Sequence, residues 1–215
     1  EKIKIILAFC SSVVILILVG VFLYTSTDQY RKNYNWVTHT QENISLAQSA
    51  LSYMQDIETS SRGYAITGKE NFLKPYYRPI ENIDGVFFKL KYKTKDNLSQ
   101  SNLVDALHHL AYLKKEFAKK TIVTRQKGDF EEAKRIISTG VGETIMSEAR
   151  IRISEFITNE QQLLRTRIED TKHSFASLLK VIAISVFISI LSIVIALKFF
   201  IRDYDTFLDY SGDAN

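Results

Sequence analysis

The sequence predicts an all-α protein, an up-down-up-down four-helix bundle placed between two transmembrane helices. Three observations carry this. Helix breakers are scarce, with 8 glycines and 2 prolines among 215 residues. Nothing between the two most apolar runs alternates convincingly with the period of two that a half-buried strand requires. Those runs, IILAFCSSVVILILVGVFLY (5–24) and VIAISVFISILSIVIAL (181–197), stand near the two ends and carry no charge.

Each run is long enough to cross a bilayer at a helical rise of about 1.5 Å per residue. Lys180 and Lys198 flank the second and can snorkel to the interface. The first exceeds the apolar core of a signal peptide, roughly 7–15 residues, and no small-x-small cleavage site follows it, so a retained span is expected. Lys2 and Lys4 precede the first run, and Lys198 and Arg202 follow the second. That charge placement favours both ends in the cytoplasm. The expected organisation is an N-terminal transmembrane helix (1–24), a bundle outside the cytoplasm (25–177), a C-terminal transmembrane helix (178–201) and the start of a cytoplasmic region (202–215). The chain begins without Met and continues 14 residues past Ile201, which suggests part of a longer protein.

The net charge of +4 is spread along the chain with no basic block, so no nucleic acid partner is expected. The single cysteine, Cys10, lies in the first apolar run. No intrachain disulfide is possible, and the bundle must hold by packing alone.

In the first bundle helix, steps of three and four from Val37 land on Thr40, Ile44, Ala47, Leu51, Met54, Glu58, Ser61 and Ala65, a heptad seam. Thr67 and Glu70 have capping-box spacing around Gly68, where the helix breaks. A second helix carries Phe72, Tyr76, Ile83, Phe87 and Leu90 on one face, with Pro75 and Pro79 expected to bend or delay its first turns. A third shows Leu103, Leu107, Leu110, Leu113 and Phe117 and stops at Gly128. Asp129 and Glu132 start a short helix that Gly140 and Gly142 interrupt. The last helix runs from about Glu143 through Ile145, Ala149, Ile153, Phe156, Ile157, Leu164, Ile168 and Phe175 into the second span. Short connections between helices favour antiparallel neighbours, hence the bundle.

Residues that carry chemistry are sparse. His108 and His109 are adjacent, point about 100° apart on a helix and cannot share a metal. His39 and His173 have no Cys or carboxylate cluster beside them in sequence. No cofactor is expected. With no glycine-rich phosphate loop, nucleophile elbow or Cys/His pairing, neither is a catalytic site. The sequons at Asn43 and Asn97 matter only in a eukaryotic secretory pathway.

The stretch DIETSSRGYAITG (56–68) is the exception, because it charges its own seam. Glu58 sits on a seam position with Arg62 one turn later, the favourable order for an ion pair. Two readings stay open: a polar pin that fixes helix register, and a signal or ligand site at the far corner. Under the second, Glu58, Arg62, Tyr64, Thr67 and Tyr76 are the ligand or switch candidates. Tyrosines at such a corner also fit a core role.

Trp36-Val37-Thr38-His39-Thr40, then Glu58-Thr59, Arg62-Gly63-Tyr64, Thr67-Gly68, Phe72-Leu73 and Pro75-Tyr76, resemble the third class of CHASE domain, the cyclase/histidine-kinase-associated sensory extracellular domains. The resemblance continues through Gly128, Ala133, Gly140, Gly142, Met146, Glu160, Leu163-Leu164 and Arg167, over about 28–170. Where the family commonly has Gly and then Gln after Glu-Thr, this chain has Ser60 and Ser61, a stiffer turn of the same fold. The resemblance implies a signal-input module in a bacterial inner or plasma membrane, its sensory domain outside the cytoplasm, working as a homodimer. It implies a two-component histidine kinase as output, with a diguanylate or adenylate cyclase or a methyl-accepting transducer as the alternative. The signal would be a small molecule or a protein. A passive helical tether is the remaining reading, and it has no need of a charged seam.

Overall fold

A computed structural model describes the backbone of residues 2–212 and the side chains of 13–198, 201 and 202. The side chains of Lys2, Lys4 and Cys10 lie outside that set, as do residues 213–215. Among the described residues there are five α-helices, one 3₁₀ turn and no strand. In chain order they are α1 (Lys2–Thr67), the 3₁₀ turn (Glu70–Leu73), α2 (Lys74–Lys93), α3 (Leu98–Gln126), α4 (Phe130–Ser138) and α5 (Val141–Gly212). The chain divides into a helical bundle, Val37–Thr166, and a second unit made from its two ends, up to Trp36 and from Arg167.

In the bundle, each helix buries a stripe spaced by threes and fours, the geometry that keeps one face turned to its neighbours. On α1 it runs Thr40, Asn43, Ala47, Ala50, Met54, Ile57, Ser61, with Glu58 beside it. Ile44 and Leu51, expected on the seam, are half-buried at its edge. On α5 it is Met146, Ala149, Ile153, Phe156 and Glu160, flanked by Ile145 and Ile157.

Two expected faces shift. On α3 the buried stripe is Gln100, Val104, Leu107, Ala111, Lys114, Ala118 and Thr121. Of the expected residues only Leu107 is fully buried; Leu103 and Leu110 pack on the flank, Phe117 is half-buried and Leu113 is exposed. The centre is lined by Ala47, Ala50, Ala111, Ala118 and Ala149. Small side chains let backbones approach closely, which leaves the leucines to fill the rim. On α2, Ile83, Phe87 and Leu90 are buried as expected, each contributing about 1.5–3 kcal/mol of burial. Phe72 is instead 40% exposed, and Leu73 takes the inward place at 4%. Both belong to the 3₁₀ turn, whose three-residue period rotates the chain faster than an α-helix.

The helix ends follow from local chemistry. Gly68, Gly128 and Gly140, each just past a helix, have φ of 67°, 87° and 74°, left-handed values that cost a glycine nothing. Asp129 caps α4 by accepting from the Glu132 amide at 2.9 Å, as its spacing predicts. Thr67 does not form the expected capping box. Its hydroxyl donates to the Gly63 carbonyl at 2.7 Å and accepts from the Lys69 amide at 3.2 Å, closing α1 rather than opening the next helix. Pro75 falls in the first turn of α2, where an amide hydrogen has no intrahelical partner.

In the second unit, Tyr30 meets Phe175 at 5.6 Å and Tyr34 at 6.3 Å between ring centres. The Arg167 guanidinium stacks over Trp36 at 4.7 Å. Among the described residues α1 and α5 contain the two segments long and apolar enough to cross a membrane, with mean hydropathies of 1.5 and 2.7. Large apolar side chains there, such as Leu18 and Phe187, are well exposed. Ser185 and Ser189 return their hydroxyls to helix carbonyls, each at 2.8 Å, so neither leaves an unmet donor in an apolar stretch.

Candidate functional site

The bundle core contains two polar layers. Asn43 on α1, Gln100 on α3 and Glu160 on α5 form one, and all three are almost fully buried. The amides of Asn43 and Gln100 donate to the two oxygens of Glu160 at 3.1 and 3.0 Å, and Gln100 also donates to the Phe156 carbonyl at 3.1 Å. Neutral donors on two helices thus hold a carboxylate from a third. Asn43 is inaccessible as a glycan acceptor, and Asn97 caps α3 through the Gln100 amide.

The second layer centres on Glu58, 9% exposed on α1. Its Oε1 lies 3.4 Å from Lys114 Nζ on α3 and 3.5 Å from Arg62 on its own helix. Its Oε2 lies 3.8 Å from Arg150 on α5. Lys114 is only 1% exposed and donates to the Gly142 carbonyl, in the first turn of α5, at 2.9 Å. Burial pushes the Lys114 ammonium below its ordinary pKa, and Glu58 partly opposes that shift. One carboxylate therefore faces basic groups from three helices at distances longer than a good charged hydrogen bond. Each pair is worth about 4 kcal/mol of gross attraction at an effective dielectric constant of 20, against a desolvation cost of several kcal/mol per buried ion. Attraction and desolvation are therefore of similar size, and such a layer is weak evidence of net stabilisation.

The five sequence candidates separate. Glu58 and Arg62 meet as the i,i+4 spacing predicts. Tyr64 and Tyr76 meet in a small cluster with Leu73 and Ile122. Burial there raises the Tyr76 phenol pKa, with Glu116 and Tyr77 adding to it. Thr67 joins neither group; its hydroxyl is engaged by the turn. Sequence reasoning missed Lys114 and Arg150. Lys114 had a signal, since it sits in phase with Leu107, Ala111 and Ala118, a lysine on a seam to match the glutamate on α1. Of the histidines, His108 stacks on Phe87 at 5.2 Å and lies 3.3 Å from Asp84. Among the described residues no group of three His, Cys, Asp or Glu side chains is placed to hold a metal ion.

The CHASE3 domain family model matches residues 33–170, well over half of the chain. The chain belongs to the CHASE3 domain family. The match includes both polar layers of the bundle. The sensor domain of the Rhodopseudomonas palustris histidine kinase HK9 has the same fold, with a TM-score of 0.54 at 20% identity. That alignment covers 59% of this chain and 98% of the HK9 domain. No curated protein matches the chain. The CHASE3 bundle is thus a sensor-input domain.

Proposed function

We propose that the chain is the extracytoplasmic input module of a membrane sensor histidine kinase. In this reading 1–24 and 178–201 cross the membrane, 25–177 lies outside the cytoplasm, 202–215 begins the cytoplasmic side, and the module works as a homodimer. The two apolar segments and the lysines and arginine that flank them support the topology. The histidine kinase sensor fold supports the output.

The observation that carries the mechanism is Glu58 on α1 facing Lys114 on α3 and Arg150 on α5. A stimulus that changes which cation Glu58 favours shifts α5 against α1. α5 runs as one helix from Val141 to Gly212, so a small displacement at its start has a continuous path toward the output. Such a device needs two packings separated by a few kcal/mol, each favoured by a different input.

The test measures autophosphorylation of the full-length receptor in membranes. Glu58→Gln with Arg62→Met is expected to change basal output, and unchanged basal output together with an unchanged stimulus response would remove the switch. Deleting 37–166 is expected to abolish regulation; regulation that survives would make the module a passive tether.

A further inference from the structure

We propose that Arg62 and Arg150 form a binding site for a small oxyanion, a carboxylate or phosphate group, that competes with Glu58 for the two guanidinium groups. The starting point is charge. Arg62, Arg150 and Lys114 converge on one carboxylate. Basic groups outnumber acidic ones at this point, because two guanidinium groups and one amine face a single Glu58 carboxylate.

Geometry gives the second reason. Arg62 and Arg150 approach Glu58 at 3.5 and 3.8 Å, beyond the 2.7–2.9 Å typical of a charged N–H to oxygen bond. Each guanidinium has five donors in a fork suited to a planar oxyanion. Among the described residues neither has another acidic partner within ion-pair distance. Glu58 meets neither at full hydrogen-bond distance; it sits on α1 with buried Lys114 3.4 Å away on its inner side. Both guanidinium tips still lie beside the two oxygens of one carboxylate, so a free oxyanion of that size can reach both.

Access is the third. The side chains of Arg62 and Arg150 are 55% and 50% exposed, whereas Glu58 and Lys114 beneath them are 11% and 2% exposed. The two guanidinium groups are open to solvent, whereas Glu58 and Lys114 lie in the core. An arriving oxyanion draws the guanidiniums outward and leaves Glu58 to Lys114. The direct Glu58–Arg150 tie between α1 and α5 is replaced by a bridge from Arg62 through the ligand to Arg150. The site deepens the signal-input reading by naming a ligand class, but binding itself does not depend on that reading.

The experiment is isothermal titration calorimetry on the complete chain in lipid nanodiscs, with succinate, inorganic phosphate and sodium chloride at matched ionic strength. Saturable heat is expected with succinate or phosphate and not with chloride, and the stronger of the two identifies the oxyanion. Arg62→Gln and Arg150→Gln, at half-exposed positions, should each weaken binding about tenfold or more, the loss of one charged hydrogen bond. Glu58→Gln removes the competitor and should tighten it. Equal responses to all three salts, or binding that survives the double arginine variant, would overturn the site. If binding is seen but full-length output ignores it, the site stands and its signalling role falls. If no oxyanion binds while Glu58 variants alter output, the site falls and the switch stands.

Discussion

The pairing of Glu58 with Lys114 can be tested by removing each charge in turn and then both. Glu58→Gln leaves an ammonium at 1% exposure with one good acceptor, the Gly142 carbonyl at 2.9 Å, and two arginines nearby. Stripping one partner from a buried pair costs about 3–5 kcal/mol, and the 3.4 Å separation puts this case near the low end, about 3 kcal/mol. Lys114→Met removes the group that is hardest to bury. Glu58 keeps both arginines, and the main loss is the hydrogen bond to Gly142, offset by an apolar side chain of similar length. The expected cost is about 1 kcal/mol. The double variant should then cost about 1 kcal/mol, roughly 2 kcal/mol less than Glu58→Gln alone, a clear departure from additivity. The assay is urea unfolding of the chain in detergent, where the apolar segments stay helical and the bundle transition is read by circular dichroism. If Lys114→Met proves the more damaging single change, or the double variant equals the sum of the singles, the charge pairing described here is wrong.

Other outcomes follow from the same structure. Burial holds Lys114 below its ordinary pKa of 10.5, against the opposing pull of Glu58, so between its folded value and 10.5 the unfolded chain binds more protons than the folded one. The stability of the wild type relative to Lys114→Met should therefore rise with pH in that alkaline window; a flat or falling difference contradicts the shift. A Cβ on Gly142 would lie 2.6 Å from the half-buried Phe117 ring, so Gly142→Ala should cost about 1–3 kcal/mol in the same unfolding assay. Gly63→Ala would also crowd a ring, but Phe72 is 40% exposed and can swing outward, so its cost should stay below about 1 kcal/mol. Asn97→Ala removes the cap on the Gln100 amide and should lower stability by about 1 kcal/mol, measured as a reduced denaturation midpoint.

Much of the fold could be read along the chain because its rules are local. The heptad steps through Ala47, Met54 and Ser61, the capping pair Asp129 and Glu132, and the stops at Gly68, Gly128 and Gly140 depend on neighbours within a turn or two. The α3 face misled because leucine is the stronger hydrophobic signal, and Leu103, Leu110 and Leu113 outweighed Gln100, Ala111 and Lys114 in the pattern. Phe72 misled because a 3₁₀ turn changes the period without changing the composition.

The sequence by itself determined the all-α class, the two apolar segments, the family and the charged interruption at Glu58. Each rests on composition, periodicity or short spacing, which survive without knowledge of what lies across the core. Only the tertiary structure decided what Glu58 faces. Its partners Lys114 and Arg150 are 56 and 92 residues away in the chain, brought within ion-pair distance by the packing of α3 and α5 against α1. A buried charge is defined by its surroundings, and here those surroundings come from three helices at once.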